Sequence, residues 1–218
     1  MVKVHNLGKQ NSILNQFVSE LRDSNIQKDS LRFRQNMQRI GCIFAYEISK
    51  SLNYRAEEII TPLGVSPMSV LAEYPVLVTI LRAGLPFHNG FLEVFDKSSN
   101  SFISAYRKYS KGGKFTIQIE YVSSPDITNK NLIISDPMLA TGSSMVLSYN
   151  ELIQKGTPMH THIATIIASK EGIEYIRKKL NKENITIWTA AIDEELTAQA
   201  YIVPGLGDAG DLAFGGKE

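Results

Sequence analysis

The chain holds one cysteine and one tryptophan in 218 residues, and its charges nearly cancel: 23 Lys and Arg against 22 Asp and Glu, a net charge of +1. The lone thiol, Cys42, excludes an internal disulfide. It lies in an apolar helical pattern and reads as a buried thiol rather than a nucleophile. The charge balance excludes a broad attraction to nucleic acid or to an anionic membrane, so any anion site must be local. No apolar run reaches the ~18 residues of a membrane-spanning helix, and no charged-then-apolar leader opens the sequence. A reducing, cytoplasmic location is the expectation. The four histidines, His5, His88, His160 and His162, form no HExxH frame. His160 and His162 alternate at the start of a predicted strand, where surface positions are expected rather than a metal site. Two phosphate signatures are missing as well: there is no GxxxxGK[ST] and no GxGxxG after a strand. No Ser–His–Asp, Cys–His or paired-carboxylate arrangement is readable from the spacing.

What is present is ordinary globular material, 43% hydrophobic and 21% charged, enough for one domain over residues 1–218 with a substantial core. Residues 11–23 put Ile13, Leu14, Phe17, Val18 and Leu21 on one helical stripe. Asp29 or Ser30 caps a longer helix to about Leu52, with the stripe Phe33, Met37, Ile40, Phe44 and Ile48. Glu57–Pro62 and the apolar run Val76–Leu81 read as strands, and a helix is expected over Pro86–Phe95. Phe102–Tyr109 and Phe115–Val122 alternate around SKGG, which predicts a hairpin. A strand over Leu132–Ser135, a helix from about Ser143 to Lys155, a strand over Ile163–Ala168, a helix over Glu171–Leu180 and a strand over Ile185–Ile192 complete the core, about 76–192. This alternation predicts an α/β fold: an open, mostly parallel, twisted sheet with helices on both faces, a β-hairpin arm and a small C-terminal hood or loop. Residues 201–216, YIVPGLGDAGDLAFGG, hold too much glycine for regular structure and too much Ile, Val, Leu and Phe for a linker. They read as an ordered loop whose backbone approaches something closely.

The chemistry concentrates in three glycine-bearing loops, one of them PGLGDAGD at 204–211 in that tail. Asn131–Ser144, NLIISDPMLATGSS, is an apolar strand, then Asp136, then a small hydroxyl-rich turn before a helix. A helix start offers free N–H groups and a partial positive charge, and small residues let a phosphate reach both. The bland alternative is a buried strand followed by a helix with Ser143 or Ser144 as N-cap. ILRAGLP at 80–86 puts Arg82 at a strand end, and ligands of open α/β sheets bind beyond the carboxyl ends of strands. Phosphate loops and an arginine without an evident nucleophile point to catalysis by positioning and electrostatics, as in group transfer from a phosphorylated donor.

DPMLATG, ILRAG and the terminal YIVPGLGDAGD together resemble the uracil phosphoribosyltransferase family, of the type I phosphoribosyltransferases, over nearly the whole chain, including RFR at 32–34. The tail is the most specific of these motifs. Pro137 also stands where most relatives acting on other bases carry a second acidic residue. The resemblance implies that uracil and 5-phosphoribosyl-1-pyrophosphate give UMP and pyrophosphate with Mg²⁺. It implies that Asp136, Pro137, Met138, Leu139, Ala140, Thr141, Gly142, Ser143 and Ser144 hold the ribose and its 5-phosphate. Arg82, Ala83 and Gly84 would meet the pyrophosphate, and Arg107 would close over it. Val203, Gly207, Asp208 and Ala209 would read uracil largely through the main chain, with Asp208 also near the donor. Asp208, Arg82 and Asp136 are the implied catalytic residues. No direct side-chain ligand to the metal is implied; Mg²⁺ would be bound mainly through the donor. A homodimer or homotetramer, a hairpin contact at 102–122 and GTP as an allosteric nucleotide are further implications.

Three departures stand out. Ser143 replaces a usual Gly, Val203 a usual Ile, and the arm reads KYSKGGKF, with Lys108, Lys111 and Lys114, where acidic residues are usual. Two other readings stay open from sequence: a donor-sensing regulator without turnover, and a phosphoribosyltransferase for another base.

Overall fold

The computed structural model describes residues 2–109, 115–180 and 184–216, with the backbone alone described at 106–109 and 115–117. In chain order the elements are β1 (Lys3–Asn6), α1 (Ile13–Arg22), α2 (Ser30–Ser49), β2 (Tyr54–Thr61), β3 (Gly64–Leu71) and β4 (Val76–Leu81). Next come α3 (Gly84–Val94), β5 (Asn100–Tyr109), β6 (Phe115–Ser123), β7 (Asn131–Ser135), β8 (Met138–Leu139) and α4 (Ser143–Leu152). The chain ends with β9 (His160–Ser169), α5 (Lys170–Lys179), β10 (Ile185–Asp193), β11 (Glu195–Leu196), β12 (Ile202–Val203) and α6 (Ala209–Phe214).

The main sheet runs β1-β10-β9-β7-β4-β5-β6, with β8 beside β9. Its pairs are parallel except the β5–β6 hairpin. Strand periodicity divides the core into two layers. Along β4, Val76, Val78 and Ile80 pack with Met145, Val146 and Tyr149 of α4 and Ile173 and Ile176 of α5. Leu77, between them, packs on the other side with α1, α2 and α3. Ile133 repeats that alternation between Leu132 and Ile134 on β7. The expected doubly covered parallel sheet is therefore what forms: continuous apolar strands need cover on both faces.

Local signals explain the helices on the first face. Asp29 Oδ1 accepts the N–H groups of Leu31 and Arg32 at 3.0 and 3.1 Å and so starts α2. Ser12 and Asn15 form a reciprocal cap on α1. The two helices are tied by Glu20, whose carboxylate accepts from Arg32 at 2.8 Å, Asn36 at 2.7 Å and Gln16 at 3.1 Å. Those donors, Arg32 foremost, hold the Glu20 carboxyl down to about 2.

The sequence reading needs correction at several places. Two strands carried no legible signal: β1, only four residues long, and β3, which is largely exposed and lacks alternation. The tail is not irregular throughout, because Ile202–Val203 pairs with Glu195–Leu196 and Ala209–Phe214 is a short helix. The positive-φ glycines there, Gly205, Gly207 and Gly215, lie outside the helix, and Gly210 sits in its first turn, so six residues can still coil. His162 is buried rather than on the surface, its Nδ1 accepting the indole N–H of Trp188 at 3.1 Å. Strand periodicity could not show that Trp188 of the neighbouring β10 would pack beside it. Burial and its histidine neighbours push His162 down to about 3, so it is neutral. Cys42 is half-buried, donates to Glu93 Oε2 at 3.1 Å and is pushed up to about 12, first by burial and then by that carboxylate, which removes any nucleophilic character near neutral pH. No helix is long and apolar enough to cross a membrane among the described residues.

Candidate active site

The strands β4 and β7 are neighbours with Thr79 beside Ser135, so the loops that leave them emerge together. After β4 the chain passes through α3 on one face, and after β7 through α4 on the other. Such a reversal opens a crevice between the two loops, because nothing fills the space between helices that diverge to opposite faces.

The β7 loop is stitched to β9. Asp136 N–H donates to Ala164 O at 3.1 Å, and the Pro137 carbonyl accepts from Ile166 and Ile167 at 3.0 Å each. Met138 and Leu139 then pair with Ile167 and Ala168. This leaves the Asp136 side chain at the floor of the cleft, where burial pushes its carboxyl up to about 7 against an N–H from Met138 that pulls it down. Thr141 Oγ1 accepts the Ser143 N–H at 3.3 Å and donates to Ser143 Oγ at 3.1 Å, closing the hydroxyl turn. The N-cap of α4 is Gly142 rather than Ser143 or Ser144, and no side chain caps the helix. Its φ of +78° belongs to glycine, and a Cβ there would lie 3.0 Å from Gly172 O. Thr141 takes the Ser143 N–H, and with no side chain at the N-cap and small residues in front, α4 keeps the next N–H groups, those of Ser144 and Met145, for an anion.

The β4 loop begins at Arg82, after a cis Leu81–Arg82 peptide. Arg82 Nη2 donates to Asp211 Oδ1 at 3.1 Å and to Gly215 O at 3.3 Å, and its shielded Nε has no acceptor among the described residues. Gly84 sits so close to the sheet that a Cβ would lie 2.3 Å from Thr79 Oγ1.

The tail closes the cleft from the opposite side. Asp208 caps α6, its Oδ1 accepting from Gly210 and Asp211 at 2.9 and 3.1 Å. Gly207, at φ +91°, has open space where a side chain would stand, with only Leu212 Cδ1 within 4 Å, at 3.9 Å. A bare peptide edge can therefore face a ligand there. Arg34 Nη1 donates to Ala213 O at 2.6 Å and holds the last turn of α6.

These parts enclose about 780 Å³, counting the open mouth. Of the residues that the sequence singled out, Ala83, Asp136, Met138, Leu139, Ala140, Thr141, Gly142, Ser144, Gly207, Asp208 and Ala209 line it together. Arg82 is joined to the tail at its edge, while Gly84, Pro137 and Ser143 support the walls from behind. Val203 does not line it: it pairs with Glu195, is 38% exposed, and Ile202 faces the cleft in its place. The side chain of Arg107 lies outside the described residues. Sequence reasoning missed Met145, Ala200, Tyr201, Ile202 and Gly210 as lining residues and Asp211 as the partner of Arg82. Ala200 turns the chain at φ +61°, for which a non-glycine residue gives no signal. Among the described residues no three His, Cys, Asp or Glu side chains converge as a metal centre.

Comparison with known proteins follows the same lines. The family model of uracil phosphoribosyltransferase matches residues 8–216. A uracil phosphoribosyltransferase of Porphyromonas gingivalis is 57% identical over 216 residues, 99% of this chain and 100% of that protein. One from Pyrococcus furiosus is 37% identical over 203 residues, covering 92% of this chain and 85% of its own. Among solved structures, the AQ2163 protein from Aquifex aeolicus superposes with a TM-score of 0.86 at 27% identity, covering 97% of this chain and 98% of its own. An adenine phosphoribosyl transferase from Trypanosoma brucei, at 12% identity, covers 88% of this chain and 84% of its own with a TM-score of 0.56, which shows a shared fold.

Proposed function

The chain belongs to the uracil phosphoribosyltransferase family, and from that premise we propose how its cleft joins uracil to the 5-phosphoribosyl group of 5-phosphoribosyl-1-pyrophosphate, giving UMP and pyrophosphate. The 5-phosphate takes the free N–H groups at the start of α4 and the hydroxyls of Thr141 and Ser144. Asp136 accepts hydrogen bonds from ribose hydroxyls. Arg82 stabilises the departing pyrophosphate, on which negative charge accumulates as the glycosidic bond breaks. The sugar becomes cationic in the same step, and the Asp208 carboxylate lies on the side from which the base arrives. Uracil presents O2, N3–H and O4 along one edge, and the peptide edge at Gly207–Ala209 reads that acceptor–donor–acceptor pattern. Cytosine presents a different pattern and leaves buried groups unpaired, a mismatch that costs ~1–3 kcal/mol per group.

The carboxylates Asp136 and Asp208 on the cleft wall would face a Mg²⁺ ion held mainly by the donor's own oxygens. Such an ion would supply positive charge at the leaving group. A homodimer or homotetramer in the cytoplasm belongs to the same reading. The exposed Ile60, Leu63 and Val65 on the β2–β3 hairpin support an assembly that covers them.

One observation carries the proposal: the Thr141–Gly142 turn and the Gly207–Ala209 edge line one cleft. The direct test is UMP formation from uracil and donor with Mg²⁺, with cytosine and hypoxanthine as competitors. Folded protein that does not turn over uracil overturns it. Thr141→Val removes the hydroxyl that closes the turn, and the expected result is a donor KM raised about tenfold, the loss of about one hydrogen bond to a charged group, with uracil KM little changed. A donor KM that stays put removes Thr141 from the phosphate cradle.

A further inference from the structure

Beyond the cleft, both backbone polar groups of Gly205 are held by one ion pair from elsewhere in the fold. Asp193, the last residue of β10, accepts the Gly205 N–H at Oδ2 at 2.9 Å. Arg22, the last residue of α1, donates from Nη1 to the Gly205 carbonyl at 3.0 Å. The two side chains face each other as a fork, Nη1 to Oδ2 at 2.8 Å and Nη2 to Oδ1 at 2.9 Å. Asp193 is 8% exposed and Arg22 23%. A bidentate pair fixes direction as well as distance, and removing one member leaves the other with unsatisfied capacity.

The place that this fork grips matters. Gly205 stands three residues after Ile202, which lines the cleft, and two before Gly207, which presents the open peptide edge. The chain doubles back so tightly there that a Cβ on Gly205 would lie 2.1 Å from the Ile202 carbonyl oxygen. Leu206, next in sequence, anchors into the core at 4% exposure. The far end of the tail is held separately by Arg34 and Arg82. Neither Arg22 nor Asp193 lines the cleft. A peptide edge can discriminate by hydrogen bonds only if its carbonyl and N–H groups are already aimed, because a mobile loop loses ordering entropy each time it binds.

We propose that Arg22 and Asp193 are positioning residues for base recognition, clamping Gly205 so that the Gly207–Ala209 edge is preset for the pyrimidine. This rests on the reading of that edge as the uracil site. It assigns a role in base binding to the end of α1, which touches neither substrate. The effect is directional: the base half of the site depends on the clamp, and the phosphate half, built on β7, β9 and α4, does not.

Steady-state kinetics of the full chain separate these halves. The parent enzyme is measured first with uracil and donor; no uracil turnover there overturns the reading of the site and this proposal with it. Given parental turnover, Arg22→Ala and Asp193→Asn are expected to raise uracil KM by about tenfold or more, with donor KM within about twofold. Methylguanidinium added to Arg22→Ala is expected to bring uracil KM back several-fold, which a lost packing contact would not do. Arg22→Lys, keeping the charge but not the fork, is expected to fall between. Lower Vmax with both KM values unchanged reports only less folded protein and overturns the proposal, as does an equal rise in both KM values. Should Arg22→Ala fail to fold, Asp193→Asn decides, being isosteric and retaining one oxygen acceptor. A folded Asp193→Asn enzyme with parental uracil KM overturns the clamp.

Discussion

Arg82→Ala is expected to lower kcat/KM by about 10²–10³-fold, the loss typical of removing one preorganised donor from a site of developing charge. Arg82 leaves the end of β4, beside the crevice where the sheet's helices diverge. Its guanidinium reaches the tail at Asp211 and Gly215 while its Nε meets no acceptor among the described residues. A pyrophosphate whose charge grows in the transition state gains more from that cation than the ground-state donor does, so the effect falls on kcat as well as on KM. The fold should hardly notice. The Arg82–Asp211 pair is 39% and 43% exposed, and exposed pairs contribute ~0–1 kcal/mol. Activity lost with a nearly unchanged melting temperature is thus the expected signature. Arg82→Lys should recover part of it, keeping charge without the fork. Unchanged kcat/KM in Arg82→Ala removes the residue from the site.

The second large effect concerns Asp136 and carries a pH signature. Its carboxyl titrates at about 7 because the cleft floor is desolvated. Below that pH it is protonated and neutral, and it cannot offer full charge to ribose hydroxyls. The donor's kcat/KM is therefore expected to rise with pH up to about 7 and then level. Asp136→Asn should lower the plateau by about 10–100-fold, the loss of a charged hydrogen bond or two, and flatten this limb. The donor's phosphate also titrates near pH 6, at about that value for a phosphomonoester, so a limb common to both enzymes belongs to the donor and the difference to Asp136. Stability moves the other way. A carboxyl raised in the native state binds its proton more tightly there than in the unfolded chain, whose value is 3.8. Native stability thus declines as pH climbs from 3.8 towards 7. At pH above 7, Asp136→Asn should melt higher than the parent while working worse. A variant that melts lower and shows the same pH limb would mean the carboxylate is not desolvated.

Several parts of this picture were legible before any coordinates. The apolar runs Val76–Leu81 and Leu132–Ser135 predicted buried parallel strands, and both lie inside the sheet with cover on each face. Asp29 started its helix as expected because a cap acts on residues two and three positions away. The small residues at Thr141–Gly142 predicted a tight turn ahead of a helix, and one forms there, since the backbone conformation of a tight turn is local. Other features were not local and so were not legible. His162 looked like a surface residue until Trp188, twenty-six positions later, covered it. Val203 and Ile202 differ by one position, and which of them faces the cleft depends on pairing with β11. Arg22 carried no signal at all, because its partners lie 171 and 183 residues away.

By itself, then, the order of amino acids determined the α/β class, the helix starts and the small-residue turns, all of which follow from periodicity and from contacts within a few residues. Only the tertiary structure decided that the glycine-rich end of the chain would lie across the loops of β4 and β7, that Arg82 would meet Asp211, and that Arg22 and Asp193 would grip Gly205. Those pairings join segments distant in sequence, and their geometry exists only once the two core layers have packed the sheet and brought α1, β10 and α6 to one end of it.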